Sequence, residues 1–127
     1  MSRSERQKGA RGERDFRDLV RTFGFDCERD GRLAADLRHG VAGVHFEIKR
    51  QERLDVPAWL RQAEAECGEA IPVVAFRRSR EPWRVVAPAA DYLAAKAAAQ
   101  HLEAVRAAWH DNDLEALSEL LTNGRSD

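Results

Sequence analysis

Two residues of opposite charge, Glu47 and Lys49, are separated by a single residue in the segment VHFEIK of residues 44–49. Apolar and polar side chains alternate here, which predicts a β-strand with Glu47 and Lys49 on one face, ~6.6 Å apart along the strand. The carboxylate can bind a divalent cation, while the ammonium can orient or help to deprotonate an attacking water and balance the charge of a phosphate. An ion pair within a sheet is the simpler interpretation of the same pair. His45 shares that face, where it either contacts substrate or metal or, as the simpler interpretation, is a polar neighbour.

Two further carboxylates are candidates for the same site. Asp36 lies in a short extended segment, residues 33–37, and an adjoining strand would carry it toward Glu47. Glu13 lies three residues before Phe16, so helical periodicity puts it on or beside an apolar stripe, a costly place for a carboxylate. Because Mg²⁺ needs only one or two protein carboxylates with waters, Asp36 and Glu47 would suffice. Glu13 offers a third carboxylate from a helix packed over the same sheet.

The elements that must position these residues follow from hydrophobic periodicity and turn residues. In chain order they are a helix over residues 11–23, a strand over 25–29, an extended segment over 33–37, the strand over 44–49, a helix between Asp55 and Gly68, and a hairpin of strands over 71–76 and 83–87. Helices over 89–109 and from 114 onward complete the chain. The elements up to residue 88 thus follow the order α-β-β-β-α-β-β.

Length and composition limit the class of protein. The 127 residues are 43% hydrophobic and 34% charged, which predicts one folded core and excludes a disordered chain. No apolar run is long enough to span a bilayer, and two cysteines are too few for a disulfide framework, so we expect a cytoplasmic protein without a membrane partner.

The charge is unevenly distributed along the chain. Lys and Arg against Asp and Glu number 13 to 10 in residues 1–54, 5 to 5 in 55–88 and 3 to 7 in 89–127. The N-terminal part therefore carries +3 and the C-terminal part −4, within a net charge of −1. Such a chain has no general affinity for nucleic acid, so any contact with DNA must be local.

Four stretches of the chain together resemble a known family. They are KGARGERDFRDLVRTFGF, RDGRLAADL, VHFEIKRQ and IPVVAFRRSREPWRVV, which lie between residues 8 and 88. Their order and spacing, which are more specific than the Glu-x-Lys pair alone, resemble the PD-(D/E)XK nucleases and within them the archaeal-type Holliday junction resolvases. The resemblance implies a restriction-endonuclease-like α/β core with a mixed central sheet flanked by helices, Mg²⁺-dependent cleavage of DNA, and a homodimer.

The resemblance also implies roles for individual residues. It makes Asp36 and Glu47 metal ligands, Lys49 the residue that positions the nucleophilic water, and Glu13 a helix-borne ligand of the metal or its water. Gln62 matches a glutamine that many members keep beside the site, although a plain surface residue explains it as well.

Two features depart from the family pattern. Ala35 stands where a proline often precedes the metal-binding Asp, and residues 30–33 lack the serine of the resolvase loop. Residues 89–127 have no counterpart in the minimal resolvase. The short chain and isolated core favour a bacteriophage origin.

Basic residues in two places are candidates for phosphate contacts, with solvated charge as the alternative. The hairpin tip carries Arg77, Arg78 and Arg80, and the N-terminal arm of residues 1–10 and its edge carry Arg3, Arg6, Lys8 and Arg11.

The sequence therefore predicts a nuclease core over residues 1–88 and a helical extension over 89–127, packed on the core or at a dimer interface. We expect a Mg²⁺-dependent endonuclease for four-way or other branched DNA, a Holliday junction resolvase, with Mn²⁺ able to substitute. It would act in the cytoplasm, which is the host's if the chain is phage-encoded. The alternatives are a nickase or exonuclease of the same fold, and a non-catalytic DNA-binding or assembly module.

Overall fold

The computed structural model describes residues 3–29 and 37–123, apart from the side chains of residues 3–6 and 8. The chain divides into two compact units, Met1–Pro88 and Ala89–Asp127. The first contains α1 (Arg3–Thr22), β1 (Cys27–Arg29), β2 (Leu37–His39), β3 (Val44–Arg50), α2 (Val56–Glu66), β4 (Ile71–Arg77) and β5 (Arg84–Val86). The second contains α3 (Ala89–His110) and α4 (Leu114–Asn123).

Strands β3, β4 and β5 form one sheet of mixed direction. β3 and β4 are parallel, with Glu47 opposite Val74, and β5 pairs antiparallel with β4. Helix α2 is the crossover between the two parallel strands, as such a connection requires. β1 and β2 form a separate antiparallel pair with Glu28 opposite Arg38. The predicted α/β class with a mixed sheet is confirmed.

The two faces of this sheet are covered by different helices. Phe16 and Val20 of α1 pack with Cys27 and Ala75, and Phe46 lies against the same cluster. On the other face, α2 contributes to a second cluster that consists of Trp59, Ala63, Val74 and Phe76. Because side chains alternate along β3, Phe46 faces α1, whereas Glu47 shares the α2 face with its register partner Val74.

Local signals set the ends of α2. The side chain of Asp55 caps the helix by accepting a hydrogen bond of 3.4 Å from the backbone N–H of Ala58, and Pro57 stands in the first turn. Gly68 follows the helix with a φ of +57°, a conformation that favours glycine. The site-bearing helix therefore begins and ends where the sequence predicts.

Helix α1 begins at Arg3, earlier than the apolar periodicity from Arg11 onward predicts. The segment before Arg11 contains Glu, Arg, Gln, Lys and Ala, all good helix formers, so it continues the helix without an apolar stripe of its own. The predicted arm of residues 1–10 is therefore helical from Arg3.

The second unit is a pair of helices joined by a turn at residues 111–113. Asp113 caps α4 by accepting a hydrogen bond of 3.0 Å from the backbone N–H of Ala116. Trp109 and Leu114 are exposed in this unit. None of the helices in the described residues is long and apolar enough to cross a membrane.

Candidate functional site

Glu47 is a buried carboxylate on the α2 face of the sheet, with 7% of its surface exposed. Its Oε1 atom lies 3.4 Å from Nζ of Lys49, two residues further along β3. Burial raises the pKa of Glu47, Lys49 opposes that rise, and the nearby Glu66 carboxyl adds to it through a hydrogen bond and its charge. A bound cation would favour the ionised form of such a group.

His45 and Glu66 join Glu47 at this place. One potential ligand atom from each of the three side chains lies within 4.8 Å of the other two. Nε2 of His45 is 3.8 Å from Oε2 of Glu66, is buried, and has no hydrogen-bond partner. An unpartnered imidazole nitrogen beside two carboxylates fits a divalent cation, because an unprotonated Nε2 would offer the cation a lone pair and Nε2 has no hydrogen-bond partner among the described residues.

Glu66 reaches the site because of its position on α2. It follows the buried residues Trp59 and Ala63 by seven and three positions, so it continues their stripe toward the sheet. Its side chain is 49% exposed, which opens the site to solvent on this side. Gln62 donates a hydrogen bond of 3.4 Å from Nε2 to Oε1 of Glu66. Gln62 is thus connected to the site through Glu66.

Glu13 lies in the other layer of the unit. It is buried, as its position beside the apolar stripe predicts, with 8% of its surface exposed. Its Oε2 atom accepts a hydrogen bond of 2.9 Å from Nε of Arg29. The structure does not bring Glu13 together with Glu47, because α1 covers the Phe46 face and the Glu13 carboxylate is neutralised there by Arg29. Asp36 lies outside the described residues.

The predicted phosphate-contacting residues differ in their surroundings. Arg78 and Arg80 are exposed, whereas Arg77 ends β4 and its guanidinium carbon lies 5.7 Å from the ring centre of Trp83. The tip is held by Glu52, which accepts hydrogen bonds from the backbone N–H and the hydroxyl of Ser79. On α1, Arg11 is exposed, and the side chains of Arg3, Arg6 and Lys8 lie outside the described part of the chain.

Sequence reasoning missed part of this cluster. Glu66 is not among the residues that the sequence indicates, whereas His45 is, with contact to metal or substrate as one of its two interpretations. The signal for Glu66 is the one that identified Glu13, a carboxylate at helical spacing from buried residues. Applied to α2, that spacing predicts that Glu66 lies on the side of the helix that faces the core.

The solved structures that match the chain include one of a Holliday junction resolvase. It is that of Hjc from Archaeoglobus fulgidus, "a Holliday junction resolvase from an archaeal hyperthermophile", with 25% identity over 63% of this chain and 72% of that chain and a TM-score of 0.45. No family model and no curated protein matches the chain. Because the structural likeness is weak, the function has to be inferred from the residues of the site.

Proposed function

We propose that the protein is a metal-dependent DNA endonuclease whose active site is built on Glu47 and Lys49. The observation that carries the proposal is a buried carboxylate with an ammonium group at 3.4 Å, beside an unpartnered imidazole nitrogen and a second carboxylate. A purely structural ion pair leaves the convergence of His45 and Glu66 on Glu47 unexplained. Hydrolysis of a phosphodiester uses all of them, since it needs a cation, a positioned water and positive charge near the phosphate.

Each residue has a task that follows from its surroundings. Glu47 and His45 would hold the cation from the strand, and Glu66 would complete the set from α2 on the solvent side. Gln62 positions Glu66 through its hydrogen bond. Lys49, held close to Glu47, is placed to orient the attacking water and to balance negative charge on the phosphate. The cation, when bound, lowers the pKa of a water molecule and neutralises charge on the scissile phosphate.

The choice of metal and of further ligands follows from the donors. Carboxylate oxygens suit Mg²⁺ and Mn²⁺, so both ions are expected to support activity. Asp36 is proposed as an additional ligand because it lies in the extended segment 33–37, which an adjoining strand would carry toward Glu47, and because the family resemblance implies the same role. The role of Glu13 as a helix-borne ligand stays a prediction from the same resemblance, and in the structure its Oε2 atom accepts a hydrogen bond from Arg29.

The substrate is proposed to be branched DNA, with the four-way Holliday junction as the preferred form. The order and spacing of the motifs between residues 8 and 88 support this, because they resemble those of the resolvases and are more specific than the Glu-x-Lys pair alone. We propose a homodimer acting in the cytoplasm, in which two sites cut two strands. The unit Ala89–Asp127 contributes to association through exposed apolar residues such as Trp109 and Leu114.

The test is to incubate the purified protein with Mg²⁺ or Mn²⁺ and with labelled four-way junction, flap, nicked and linear duplexes. Paired symmetrical nicks confined to the junction are expected, and Glu47→Gln should abolish them. Glu64→Gln is the matched control on exposed α2 surface and should cut like the wild type. Equal cutting of linear duplex would exclude the resolvase. Tight binding to DNA without cutting would indicate a non-catalytic module, and no binding would refute the proposal.

A further inference from the structure

Among the described residues of the first unit, three nitrogen atoms that can only donate are buried and lack a hydrogen-bond partner. They are Nε of Arg50, Nε of Arg77 and Nε1 of Trp83. All three carry hydrogen and none can accept a hydrogen bond. Buried donors are nearly always paired in native proteins, so three of them in one region call for an explanation.

The three donors belong to one face of the sheet. Arg50 and Arg77 are register partners at the ends of the parallel strands β3 and β4, so their side chains leave the sheet on the same side. That side is the α1 face, because Arg50 is two and four residues from Ile48 and Phe46. Trp83 lies on this face as well, with its ring 5.2 Å from that of Phe16 and 5.7 Å from the guanidinium carbon of Arg77.

The charges of this group are not balanced within the described residues. Neither Arg50 nor Arg77 forms an ion pair there, although the register places the two arginines on neighbouring strands, ~4.8 Å apart. The buried carboxylate of α1, Glu13, is bound to Arg29. Two positive side chains and an indole N–H therefore lie on one face of the sheet, and their Nε and Nε1 atoms have no acceptor among the described residues.

Helix α1 packs against the side chain of Arg50 and restricts its conformation. A β-carbon at Gly12 would lie 2.8 Å from Cβ of Arg50, so the helix backbone rests directly on the stem of this side chain. Packing of this kind limits the rotamers open to Arg50 and holds its donor in place before any ligand arrives. The cation–π contact with Trp83 does the same for Arg77.

We propose that Arg50, Arg77 and Trp83 form a clamp for one phosphate of the DNA backbone; the identity of this ligand as DNA rests on the proposed function. A phosphodiester supplies negative charge and several acceptor oxygens, which match donors without acceptors. Because the two arginines leave adjacent strands at the same register position, they share a single phosphate. The clamp lies on the face of the sheet opposite Glu47, at the ends of the strands, and is separate from the exposed Arg78 and Arg80.

The first test measures binding of a labelled four-way junction by fluorescence anisotropy over a series of KCl concentrations, without divalent metal so that the DNA stays intact. Arg50→Met with Arg77→Met removes the donors and keeps most of the side-chain volume. The slope of log affinity against log salt should fall by about 0.9, the value for one phosphate. Between about 50 and about 200 mM KCl, the wild type should lose about 3.5-fold more affinity than the variant.

A control with the same loss of charge is Arg61→Met with Arg106→Met, at exposed positions on α2 and α3. Its slope should equal that of the wild type. A slope unchanged in the Arg50 and Arg77 variant, or one lower by about 1.8, would overturn the shared clamp. The clamp variant should also melt no lower than the wild type, because it loses unpartnered buried donors. Weaker binding together with a lower melting temperature would show a structural role and refute the proposal.

The second test separates the clamp from the proposed function by using inorganic phosphate as the probe. The indole ¹H–¹⁵N signal of Trp83, assigned with Trp83→Phe, should move as phosphate is added and stay in place with chloride at equal ionic strength. The movement should be absent from the Arg50 and Arg77 variant. If the signal moves but the wild type does not bind DNA, the clamp stands and the proposed function fails. If the signal is indifferent to phosphate, the clamp is refuted whatever the protein does to DNA.

Discussion

The substitution Glu47→Gln tests the candidate metal centre with little change of shape. Burial raises the pKa of Glu47 above its ordinary value of 4.5, so the neutral carboxyl is favoured more in the folded protein than in the unfolded chain. A raised pKa contributes stability that is complete below about pH 4.5 and is lost as the pH rises through the folded-state pKa. Glutamine is neutral at every pH. Without metal, the variant should therefore melt at the wild-type temperature near the acid end and above it at neutral pH.

At neutral pH, added metal should make the wild type melt at a higher temperature than Glu47→Gln. A cation that binds only the native state stabilises the wild type by about 2.7 kcal/mol at a hundred times its dissociation constant. For 127 residues, an unfolding entropy of about 2.1 cal/mol/K per residue converts this into a rise of about 10 °C. The rise is about 15 °C if residues 1–88 unfold as a unit of their own. Glu47→Gln should gain only a small part of it.

Calorimetry of both proteins with and without Mn²⁺, at about pH 4.5 and about pH 7.5, measures these shifts. Glu64→Gln, which removes an exposed carboxylate from α2, should behave as the wild type under all four conditions. If Mn²⁺ leaves the melting temperature of the wild type unchanged, the metal centre is refuted. A variant that gains as much as the wild type would remove Glu47 from it. A variant less stable than the wild type without metal at neutral pH would show that the ion pair with Lys49 outweighs burial.

Three further substitutions test other parts of the structure. Lys49→Met should keep the metal-induced rise in melting temperature, since an ammonium is not a ligand, but should lose cleavage by at least about 100-fold in a junction-cutting assay. Glu66→Gln should weaken Mn²⁺ binding about tenfold or more by titration calorimetry, while Glu64→Gln leaves it unchanged. Gly12→Ala should lower the free energy of unfolding by about 1–3 kcal/mol in urea titrations, because the new β-carbon meets a facing β-carbon at 2.8 Å. Gly9→Ala, in the same helix with open space around it, should instead stabilise by up to about 1 kcal/mol, and equal effects at the two glycines would contradict the close packing of α1.

Alternation along β3 was enough to predict which of its residues share a face. Side chains alternate between the two faces of a strand, so His45, Glu47 and Lys49 lie on the same face of β3. Alternation does not determine which helix covers that face. Phe16, in the apolar stripe of α1, packs against Phe46 on the face of β3 opposite to Glu47. Glu13 belongs to the same helix and therefore lies on the Phe46 side of the sheet.

Glu13 and Glu66 show how far helical spacing can be trusted. Spacing from buried neighbours predicts that a carboxylate will face the core, and for Glu13 this is confirmed. It does not predict the partner, because Arg29 approaches Glu13 from another element. For Glu66 the same spacing leads to the candidate site, but only once the parallel pairing of β3 and β4 places α2 over Glu47. Long-range pairing is the information that a local pattern lacks.

Residues 44–77, which form β3, α2 and β4, contain the whole candidate cluster of His45, Glu47 and Glu66. Only a short loop of chain has to close to bring these ligands together, so the entropy lost in assembling them is small. Contacts close in sequence also form early in folding. A divalent metal able to bind this one β-α-β segment before α1 docks would therefore accelerate folding as well as prolong the life of the native state. In that case the metal would help to build the sheet that later holds it.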